Sequence, residues 1–396
     1  MKEGAANVGL SLRQMRRLRR RSETEGMRGL LHRRAEISVH NKVSASECER
    51  ILVYRRETYP GYNLSHFRDV MRYRHRILRS REFYRRLLGR EGLYKAAHVL
   101  KRKPRHRKRF EAPCAGMLIQ RDTSIHFWVP GAEKPWRLIL DLDDHSRKIV
   151  GGLFSEHDDV LSNMMVSWET ISTHGVPIAY YTDNNPIYNP LNQKPACGMY
   201  SFYRTRDKEP KDSVPQFKRA LKELGIECIH ATPYQPQGKG KIERLFRFMQ
   251  DRLVQEMITA KVKTIEEANK YLKKWIHWYN TCHLHSTTGQ IPQERYQAKP
   301  EGFRLLPNGI DLEKIFCLKY ERQVKADNTF EFEGKTYQIR KNEYRISYAR
   351  ARVDARVLLS KKIKIFHENR EIGCHDYKPR DINKLRKWED ILALQT

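Results

Sequence analysis

Cysteine is scarce in this sequence, and the few cysteines present form no recognisable pattern. There are seven among 396 residues, an odd number, and no two of them stand in a CxxC motif. This distribution argues against a disulfide framework and a cysteine-rich zinc site, and it is typical of a protein from a reducing compartment. The sequence also lacks an apolar run of membrane-spanning length and an apolar signal-peptide stretch near Met1. We therefore expect a soluble, cytoplasmic protein with no membrane partner.

Acidic residues are strongly outnumbered by basic ones. The chain has 77 lysines and arginines against 47 aspartates and glutamates, which gives a formal net charge of +30. Such a surplus opposes compaction through self-repulsion, and a polyanionic partner, most simply nucleic acid, explains it best. With 39% hydrophobic residues the chain can bury cores. Its length predicts about two to four domains.

The beginning of the chain combines helical periodicity with a high density of arginine. Between residues 1 and 35, a Gly-containing turn and a capping Ser11 precede a run in which Met15 and Leu18 recur at helical spacing. This pattern is typical of a helix-turn-helix unit, although a solvated basic helix fits it as well. Since the pattern starts almost at Met1, we expect that the reading frame is truncated or its start misassigned. The candidate DNA-contacting residues here are Arg13, Arg16 and Arg17.

A second helical DNA-binding unit is predicted over residues 36 to 100. Three helix-forming segments in it begin at potential capping residues, and the last segment carries the cationic candidates Arg81 and Arg85. Residues 101 to 111 follow as a basic, Pro-containing linker without apolar periodicity. A plain spacer is the alternative to a linker that tracks DNA phosphates. The candidate phosphate contacts of this linker are Lys101, Arg102 and Lys103.

Beyond the linker, strand patterns dominate and then alternate with helices. From residue 112 to 300 the predicted order is βββ-α-β-α-β-α, the order of a ribonuclease H-like fold, in which strand ends meet where ligands bind. Residues 301 to 396 are again rich in strands, with Gly334 and Asn369 at hairpin turns, and they predict a small β-barrel domain. The predicted fold class is therefore multidomain: N-terminal all-α helix-turn-helix units, a central α/β ribonuclease H-like catalytic core and a C-terminal β-barrel.

Two aspartates of the predicted core stand out from their surroundings. Asp122 lies within an apolar strand, on the opposite face from Arg121, and Asp183 ends the strand PIAYYTD. Taken singly, either one is more simply a turn or capping aspartate. Three other acids of this region compete for a catalytic role, namely Asp141, Asp143 and Asp144. Turn chemistry accounts for Asp143 and Asp144.

Glu243 follows the loop QPQGKGK near the start of a predicted helix. If the helix begins near Gly240, Glu243 lies off the apolar stripe, and an ordinary i, i+4 pair with Arg247 is one interpretation. That interpretation does not explain the loop before it. Ribonuclease H-like enzymes that cut or join phosphodiesters hold two Mg²⁺ ions with carboxylates, and three acids can be enough. The predicted stripe is Ile242, Leu245, Phe246, Met249 and Leu253.

The contexts of the three acids resemble the signatures of the integrase-core (DDE) transposases of bacterial insertion sequences, relatives of retroviral integrase. IQRDTS, YYTDNN and TPYQPQGKGKIERLF occur in the family's order, and YNTCHLHSTTGQIPQERY resembles the segment that closes its core. The resemblance implies that Asp122, Asp183 and Glu243 are the catalytic triad and bind two Mg²⁺ ions, with Mn²⁺ as a substitute. It also implies DNA contacts from the basic residues around the glutamate, namely Lys239, Lys241 and Arg244.

The sequence departs from the family's pattern in two places. Asp183 and Glu243 are 60 positions apart (243 minus 183), a longer gap than in typical members. We interpret the excess, residues 187 to 213, as a loop at the edge of the active site that touches target DNA. The closing segment has Cys282-His283 where members more often have Pro-His.

The resemblance implies a transposase that acts on double-stranded DNA. Such an enzyme binds the terminal inverted repeats of its element, nicks the DNA by metal-dependent hydrolysis and joins the 3′-hydroxyl ends to target DNA by strand transfer. Because two ends are processed together, we expect a homo-multimer in a synaptic complex, associated with the nucleoid when bound to DNA. The alternatives are a catalytically silent, transposase-derived DNA-binding regulator and a ribonuclease H-type nuclease without joining activity.

Overall fold

The structure is a computed structural model that describes most of the chain. The described residues are 1–31, 43–95, 110–129, 132–188, 215–231, 239–341 and 343–377. They divide into two compact units, Met1–His98 and Val99–Thr396. The predicted linker contacts Lys101, Arg102 and Lys103, and residues 189–213 of the predicted loop, lie outside the described residues. The finer division of the chain into five segments stays a prediction.

The described part of the first unit is helical, and most of its helices begin at a capping side chain. The bounds are α1 Lys2–Asn7, α2 Leu12–Glu25, α3 Ala45–Val53, α4 Leu64–Arg74 and α5 Arg81–Arg90, with a 3-10 helix at Gly26–Leu30 and a π-helical turn at Tyr54–Thr58. Each cap accepts a hydrogen bond from a backbone N–H of the first turn; the caps are Ser11, Ser44, Asn63 and Ser80. The three helices predicted after residue 36 are therefore present. That they form a DNA-binding helix-turn-helix unit stays a prediction.

Helices α3 to α5 enclose an aromatic core. Phe67 and Tyr84 are fully buried and meet edge to face, with ring centroids 5.6 Å apart. The Tyr84 hydroxyl donates to the carbonyl of Ile77 (3.2 Å), so its polar end is satisfied inside the core. Burial on this side leaves the arginines of α5 exposed on the other.

A five-stranded mixed sheet forms the centre of the second unit. Its strands are β1 Leu118–His126, β2 Trp136–Asp143, β3 Ile149–Ser155, β4 Ala179–Thr182 and β5 Glu227–His230. They lie in the order β3-β2-β1-β4-β5, and β1 pairs antiparallel with β2 and parallel with β4. This topology, with the helices that follow the strands, fits the predicted ribonuclease H-like core.

Helices cover both faces of the sheet. They are α6 Val160–His174, α7 Gln216–Glu223, α8 Gly240–Thr259, α9 Ile265–Cys282 and α10 Pro292–Ala298. One hydrophobic cluster joins α8 and α9 to β2, and a second joins α6 and α7 to β1 and β4. The predicted apolar stripe of α8 is confirmed, because all five of its residues are buried.

Two asparagines of α9 satisfy the outer edge of the sheet at β3. The Asn280 amide exchanges two hydrogen bonds with the backbone of Ile149 (3.0 and 2.9 Å). Asn269 does the same with the backbone of Phe154 (2.8 and 3.0 Å). Each side chain thus takes the place of a neighbouring strand, which protects the edge and ties α9 to the sheet.

The C-terminal part of the second unit is rich in strands, as predicted. Helix α11 Leu312–Ile315 precedes β6 Cys317–Gln323, β7 Thr329–Phe332, β8 Lys335–Gln338, β9 Arg352–Leu358, β10 Lys362–His367 and β11 Arg370–Asp376. The predicted turn residues Gly334 and Asn369 are confirmed, with φ angles of 74° and 66°. Over residues 301–341 and 343–377 the strands form two sheets, β11-β10-β9-β6 and the hairpin β7-β8, instead of one closed barrel. The two sheets are separate because β7 forms its backbone hydrogen bonds with β8 and not with a strand of the four-stranded sheet. Side chains from both sheets nevertheless pack into one hydrophobic core.

Across the described ranges, every helix is too short or too polar to cross a lipid bilayer.

Candidate active site

Asp122 lies in the middle of β1 and faces the start of α8. Its side chain is 20% exposed, while its neighbour Arg121 points to the opposite face of the sheet and is fully buried. Burial raises the pKa of Asp122, and the nearby Lys239 acts in the opposite direction. The predicted alternation along this strand is confirmed.

Asp183 follows β4, the parallel neighbour of β1. The pairing of Gln120 with Tyr181 places Asp183 level with Asp122, two residues further along both strands. The carboxylate of Asp183 accepts the backbone N–H of Asn185 (3.1 Å), so the turn after the strand fixes it. Its side chain is 46% exposed and therefore reachable from solvent.

One ammonium group joins the two aspartates. The Nζ atom of Lys239 lies 2.8 Å from Asp122 Oδ1 and 3.9 Å from Asp183 Oδ2. The lysine side chain is only 10% exposed, and reduced contact with water strengthens its attraction to the carboxylates. The two aspartates therefore converge on one cationic centre.

The first turn of α8 is attached to β1 and to the β2–β3 turn. The N–H of Ile242 donates to Gln120 Oε1 (3.3 Å), and Lys241 Nζ donates to the buried carboxylate of Asp144 (2.6 Å). A backbone bond and a charge-assisted bond thus hold the helix start against the strand that carries the first aspartate. These contacts also set the position of Glu243.

Glu243 is exposed on this first turn and is not gathered with the aspartates into a metal site. Within the described part of the chain, no cluster of three or more histidine, cysteine, aspartate or glutamate side chains is close enough to hold a metal ion. The structure brings Asp122 and Asp183 together and places Glu243 at the adjacent helix start. Joint action of the three acids stays a prediction.

The pair of aspartates has the chemistry of a divalent-cation site. Carboxylate oxygens are the ligands that Mg²⁺ prefers, and Mg²⁺ keeps several waters, so few protein ligands are needed. Both carboxylates already approach one positive centre, the ammonium of Lys239. Asp122 and Asp183 therefore fit a bound Mg²⁺ ion.

A fully buried ion pair lies on the other face of β1. Arg121 donates two hydrogen bonds to Asp141 (2.7 and 2.6 Å), and neither side chain is exposed. The same carboxylate accepts hydrogen bonds from Thr170 (2.9 Å) and Tyr180 (3.1 Å). These four bonds satisfy Asp141 within the core, so this competing acid is structural.

The two acids at the end of β2 have different partners. Asp143 accepts the backbone N–H and the hydroxyl of Ser146 (2.7 and 2.5 Å), as turn chemistry predicts, and its burial raises its pKa. Asp144 accepts the N–H of Ala112 and a side-chain N–H of Gln120, both at 2.8 Å. Turn chemistry therefore explains Asp143, whereas Asp144 connects three distant segments that the sequence does not show to be close.

Sequence reasoning missed Asp158, in the loop between β3 and α6. Its Oδ1 accepts hydrogen bonds from Asn163 (2.9 Å) and Thr123 (3.4 Å), and its Oδ2 accepts one from Asn185 (3.5 Å). Thr123 follows the first site aspartate directly, and Asn185 belongs to the turn that fixes the second. Asp158 thus links the supports of both. In this loop the sequence pattern indicates only the neighbouring Asp159, which is the N-cap of α6, and it indicates no role for Asp158.

The predicted DNA contacts of the first unit are on its surface. The three candidates on α2 are exposed, namely Arg13, Arg16 and Arg17. On α5, Arg81 Nε donates to Ser65 Oγ (3.2 Å). Arg85 forms two hydrogen bonds with Glu82 (2.7 and 2.6 Å), an exposed pair that phosphate can compete for.

The predicted DNA contacts around Glu243 are engaged to different degrees. Lys239 and Lys241 are both bound to aspartates, so each must leave its partner before it can contact DNA. Arg244 is exposed, with Nη1 3.3 Å from Thr287 Oγ1. Arg244 is therefore the most accessible of the three.

Comparisons with known proteins agree with this topology. Residues 224 to 292, which include α8 and α9, match the family model described as the integrase core domain. The protein named "Putative transposase y4bF" of Sinorhizobium fredii is 26% identical over 348 residues, 87% of this chain and 70% of that protein. The transposase for insertion sequence IS1202 of Streptococcus pneumoniae is 30% identical over 279 residues, 69% of this chain. The chain spans about half of the latter relative, 53% of its length.

Among solved structures, the HTLV-2 integrase catalytic core domain in complex with magnesium is similar at 14% identity, over 47% of this chain and 99% of that one. The TM-score of this comparison is 0.34. The family match over residues 224 to 292 and the sheet topology support an integrase-core protein. The similarity to bacterial proteins named as transposases supports the same assignment.

Proposed function

We propose that this protein is a metal-dependent DNA transposase whose catalytic triad is Asp122, Asp183 and Glu243. The observation that carries the proposal is the convergence of the two aspartates on one cationic centre, beside the helix start that bears the glutamate. The family match includes that helix. Similarity to insertion-sequence transposases supports DNA transposition as the general activity.

The chain's own residues hold the acids in place. Asp122 is fixed within a sheet strand and Asp183 by its turn. Glu243 lies on the first turn of α8, from which it would complete the ligand set when metal and DNA bind. Mg²⁺ bound there would supply the charge that activates the attacking oxygen and stabilises the leaving one, with Mn²⁺ as a substitute. Fixed carboxylates require little reorganisation during the reaction, which favours catalysis.

The rest of the chain brings DNA to this site. The net charge of +30 attracts phosphates, and the N-terminal helices bind the terminal inverted repeats of the element. Hydrolysis at each end exposes a 3′-hydroxyl, which then attacks target DNA. Both steps are phosphoryl transfers at the same triad, so no covalent protein–DNA intermediate is needed. Because two ends react together, the active form is a homo-multimer.

Asp183→Asn tests the proposal. The substitution keeps the shape of the side chain and removes its charge, so we expect Mg²⁺-dependent nicking of a duplex carrying the repeats that flank the gene to be abolished. DNA binding, measured by fluorescence anisotropy, should stay within about twofold, because the anionic side chain gives no attraction to phosphate.

Asp159→Asn is the matched control. It removes an equal charge from a neighbouring loop, and asparagine caps a helix as well as aspartate does. This variant should nick DNA like the wild type. Nicking by Asp183→Asn with Mg²⁺ or Mn²⁺ would show that the triad assignment is wrong.

A further inference from the structure

The ammonium group of Lys239 stands where the two site aspartates converge. We propose that Lys239 occupies the place of a metal ion in the free protein and transfers to a DNA phosphate when the metal binds. This inference rests on the proposed function, since it takes Asp122 and Asp183 as metal ligands. It makes Lys239 the residue that couples metal binding to DNA binding.

The ammonium group of Lys239 and a Mg²⁺ ion would compete for the same carboxylate oxygen atoms, so one must leave when the other binds. Lys239 Nζ is 2.8 Å from Asp122 Oδ1, a full charge-assisted hydrogen bond, and 3.9 Å from Asp183 Oδ2. A Mg²⁺ ion would need the same oxygen atoms at about 2.1 Å. The ammonium and the metal therefore cannot occupy this point together, and a retained ammonium would repel the metal in a poorly solvated site.

The side chain can leave without moving the helix. Lys239 is the N-cap of α8, and the helix start stays attached through Ile242 to Gln120 and through Lys241 to Asp144. The lysine stem has four rotatable carbons, so the ammonium can turn away from the aspartates on its own. A DNA strand that reaches the metal brings phosphates to the same place, where they replace the lost carboxylate partners.

The two lysines of the GKGK sequence therefore have different tasks. Lys241 is bound to Asp144, a buried acid away from the paired aspartates, and it anchors the helix. Lys239 is bound to the aspartates that take the metal. Metal binding should release one additional cation to DNA, so metal and DNA should strengthen each other's binding.

Mn²⁺ binding to the full-length chain without DNA tests the first half of this exchange. The loss of free Mn²⁺ signal in electron paramagnetic resonance would be measured for the wild type, Lys239→Met, Lys239→Gln and Asp122→Asn. Removing the competing ammonium should tighten Mn²⁺ binding about tenfold in both Lys239 variants, a factor typical of one charge-assisted hydrogen bond. Asp122→Asn should bind Mn²⁺ more weakly than the wild type.

Lys319→Met is the matched control. Lys319 forms a half-buried ion pair with Glu223 at 3.0 Å, so its removal also costs the second unit one ion pair. This variant should bind Mn²⁺ with wild-type affinity. A tenfold gain in Lys319→Met as well would overturn the inference, because the gain would then come from lost charge alone.

Two results separate this inference from the function on which it rests. If the wild type binds Mn²⁺ more tightly than Asp122→Asn but the Lys239 variants show no gain, the exchange is wrong and the metal site stands. If wild type and Asp122→Asn bind Mn²⁺ equally, the metal site itself is wrong, and the proposed function loses its basis.

The salt dependence of DNA binding tests the second half. The wild type and Lys239→Met would be titrated with a short random-sequence duplex at the same Ca²⁺ concentration, because Ca²⁺ on the DNA affects the salt dependence of both proteins equally. The plot of log affinity against log salt concentration should be steeper for the wild type by about one phosphate contact. Equal slopes for the two proteins in Ca²⁺ would show that the released lysine does not bind DNA.

Discussion

Arg121 and Asp122 are consecutive residues of β1, yet they belong to two different kinds of ionic centre. Arg121 pairs with Asp141 where both side chains are fully buried and hydrogen-bonded from several elements. Asp122 pairs with Lys239 beside Asp183, whose side chain is 46% exposed. The buried centre is closed to solvent, whereas solvent reaches the open centre beside Asp183. Of these two adjacent residues, Arg121 thus stabilises the fold and Asp122 belongs to the candidate active site.

The two centres differ because desolvation acts on them differently. A buried ion pair gains little over an apolar pair, but removing one partner leaves an uncompensated charge that is very costly. At the open centre, water reaches the pair beside the half-exposed Asp183, so the loss of one partner costs less than it does in the buried centre. Three sets of substitutions, from the largest to the smallest expected effect, test this distinction.

Arg121→Met should have the largest effect on stability. It leaves the Asp141 carboxylate buried with only Thr170 and Tyr180 as donors, so we expect a loss of about 3–5 kcal/mol. Urea unfolding followed by tryptophan fluorescence measures this, because all six tryptophans lie in Val99–Thr396.

Lys239→Met is the comparison for the open centre. It should cost less than Arg121→Met, about 1–2 kcal/mol in the same urea experiment, since solvent reaches this centre beside Asp183. Equal losses in Arg121→Met and Lys239→Met would mean that the two centres do not differ as described.

Lys148→Met should have the next largest effect, which depends on pH. Lys148 is 7% exposed, with Nζ 3.9 Å from the centroid of the Tyr296 ring, and burial lowers its pKa to about 8 despite the nearby Asp143. The folded state therefore loses this proton at lower pH than the unfolded state does, and the cost of burying the charge disappears as pH rises from about 8 to 10.5.

Over that range the wild type should gain up to about 3 kcal/mol relative to Lys148→Met. Urea titrations of both proteins at pH 7 and pH 10.5 give this difference, and the other titrating groups cancel between them. If the difference in unfolding free energy between the two proteins is the same at pH 7 and pH 10.5, burial of the charged Lys148 does not destabilise the folded state.

Asp158 and Asp159 are also neighbours with different roles, one at the candidate site and one in the fold, and their substitution should have the smallest effects. Asp159→Ala removes the N-cap of α6, so it should cost about 1 kcal/mol in urea unfolding while leaving Mn²⁺ affinity unchanged. Asp158→Ala loosens the supports of both site aspartates and should weaken Mn²⁺ binding about tenfold. If both variants lower Mn²⁺ affinity equally, the loop acts as a whole and Asp158 has no separate role.

Local pattern was enough to predict several parts of this molecule. The alternation of β1 separated Arg121 from Asp122, helical spacing identified the buried face of α8, and Ser11 was correctly predicted as a cap. Each of these features depends on residues close in sequence. The choice of Asp122, Asp183 and Glu243 came from resemblance and is still a prediction.

Contacts between distant segments could not be predicted in this way. The bonds of Asp144 to Ala112 and Lys241, and of Asp158 to Asn185, join residues whose separation in sequence carries no periodicity. Lys241 was predicted to contact DNA because the resemblance implies basic residues near the glutamate, but its ammonium is bound to the buried carboxylate of Asp144. Only the folded sheet shows which lysine belongs to which carboxylate.

The alternation of β1 also protects the chain against misfolding by strand slippage. A shift of β1 by one residue would turn the Arg121 guanidinium into the open centre and bury the Asp122 carboxylate beside Tyr180 and Phe217. Both charges would lose their partners at once, so such a misaligned sheet would be far less stable. The register that pairs the sheet correctly is therefore the same register that places Asp122 beside Asp183, and a sheet misaligned at β1 would lose both.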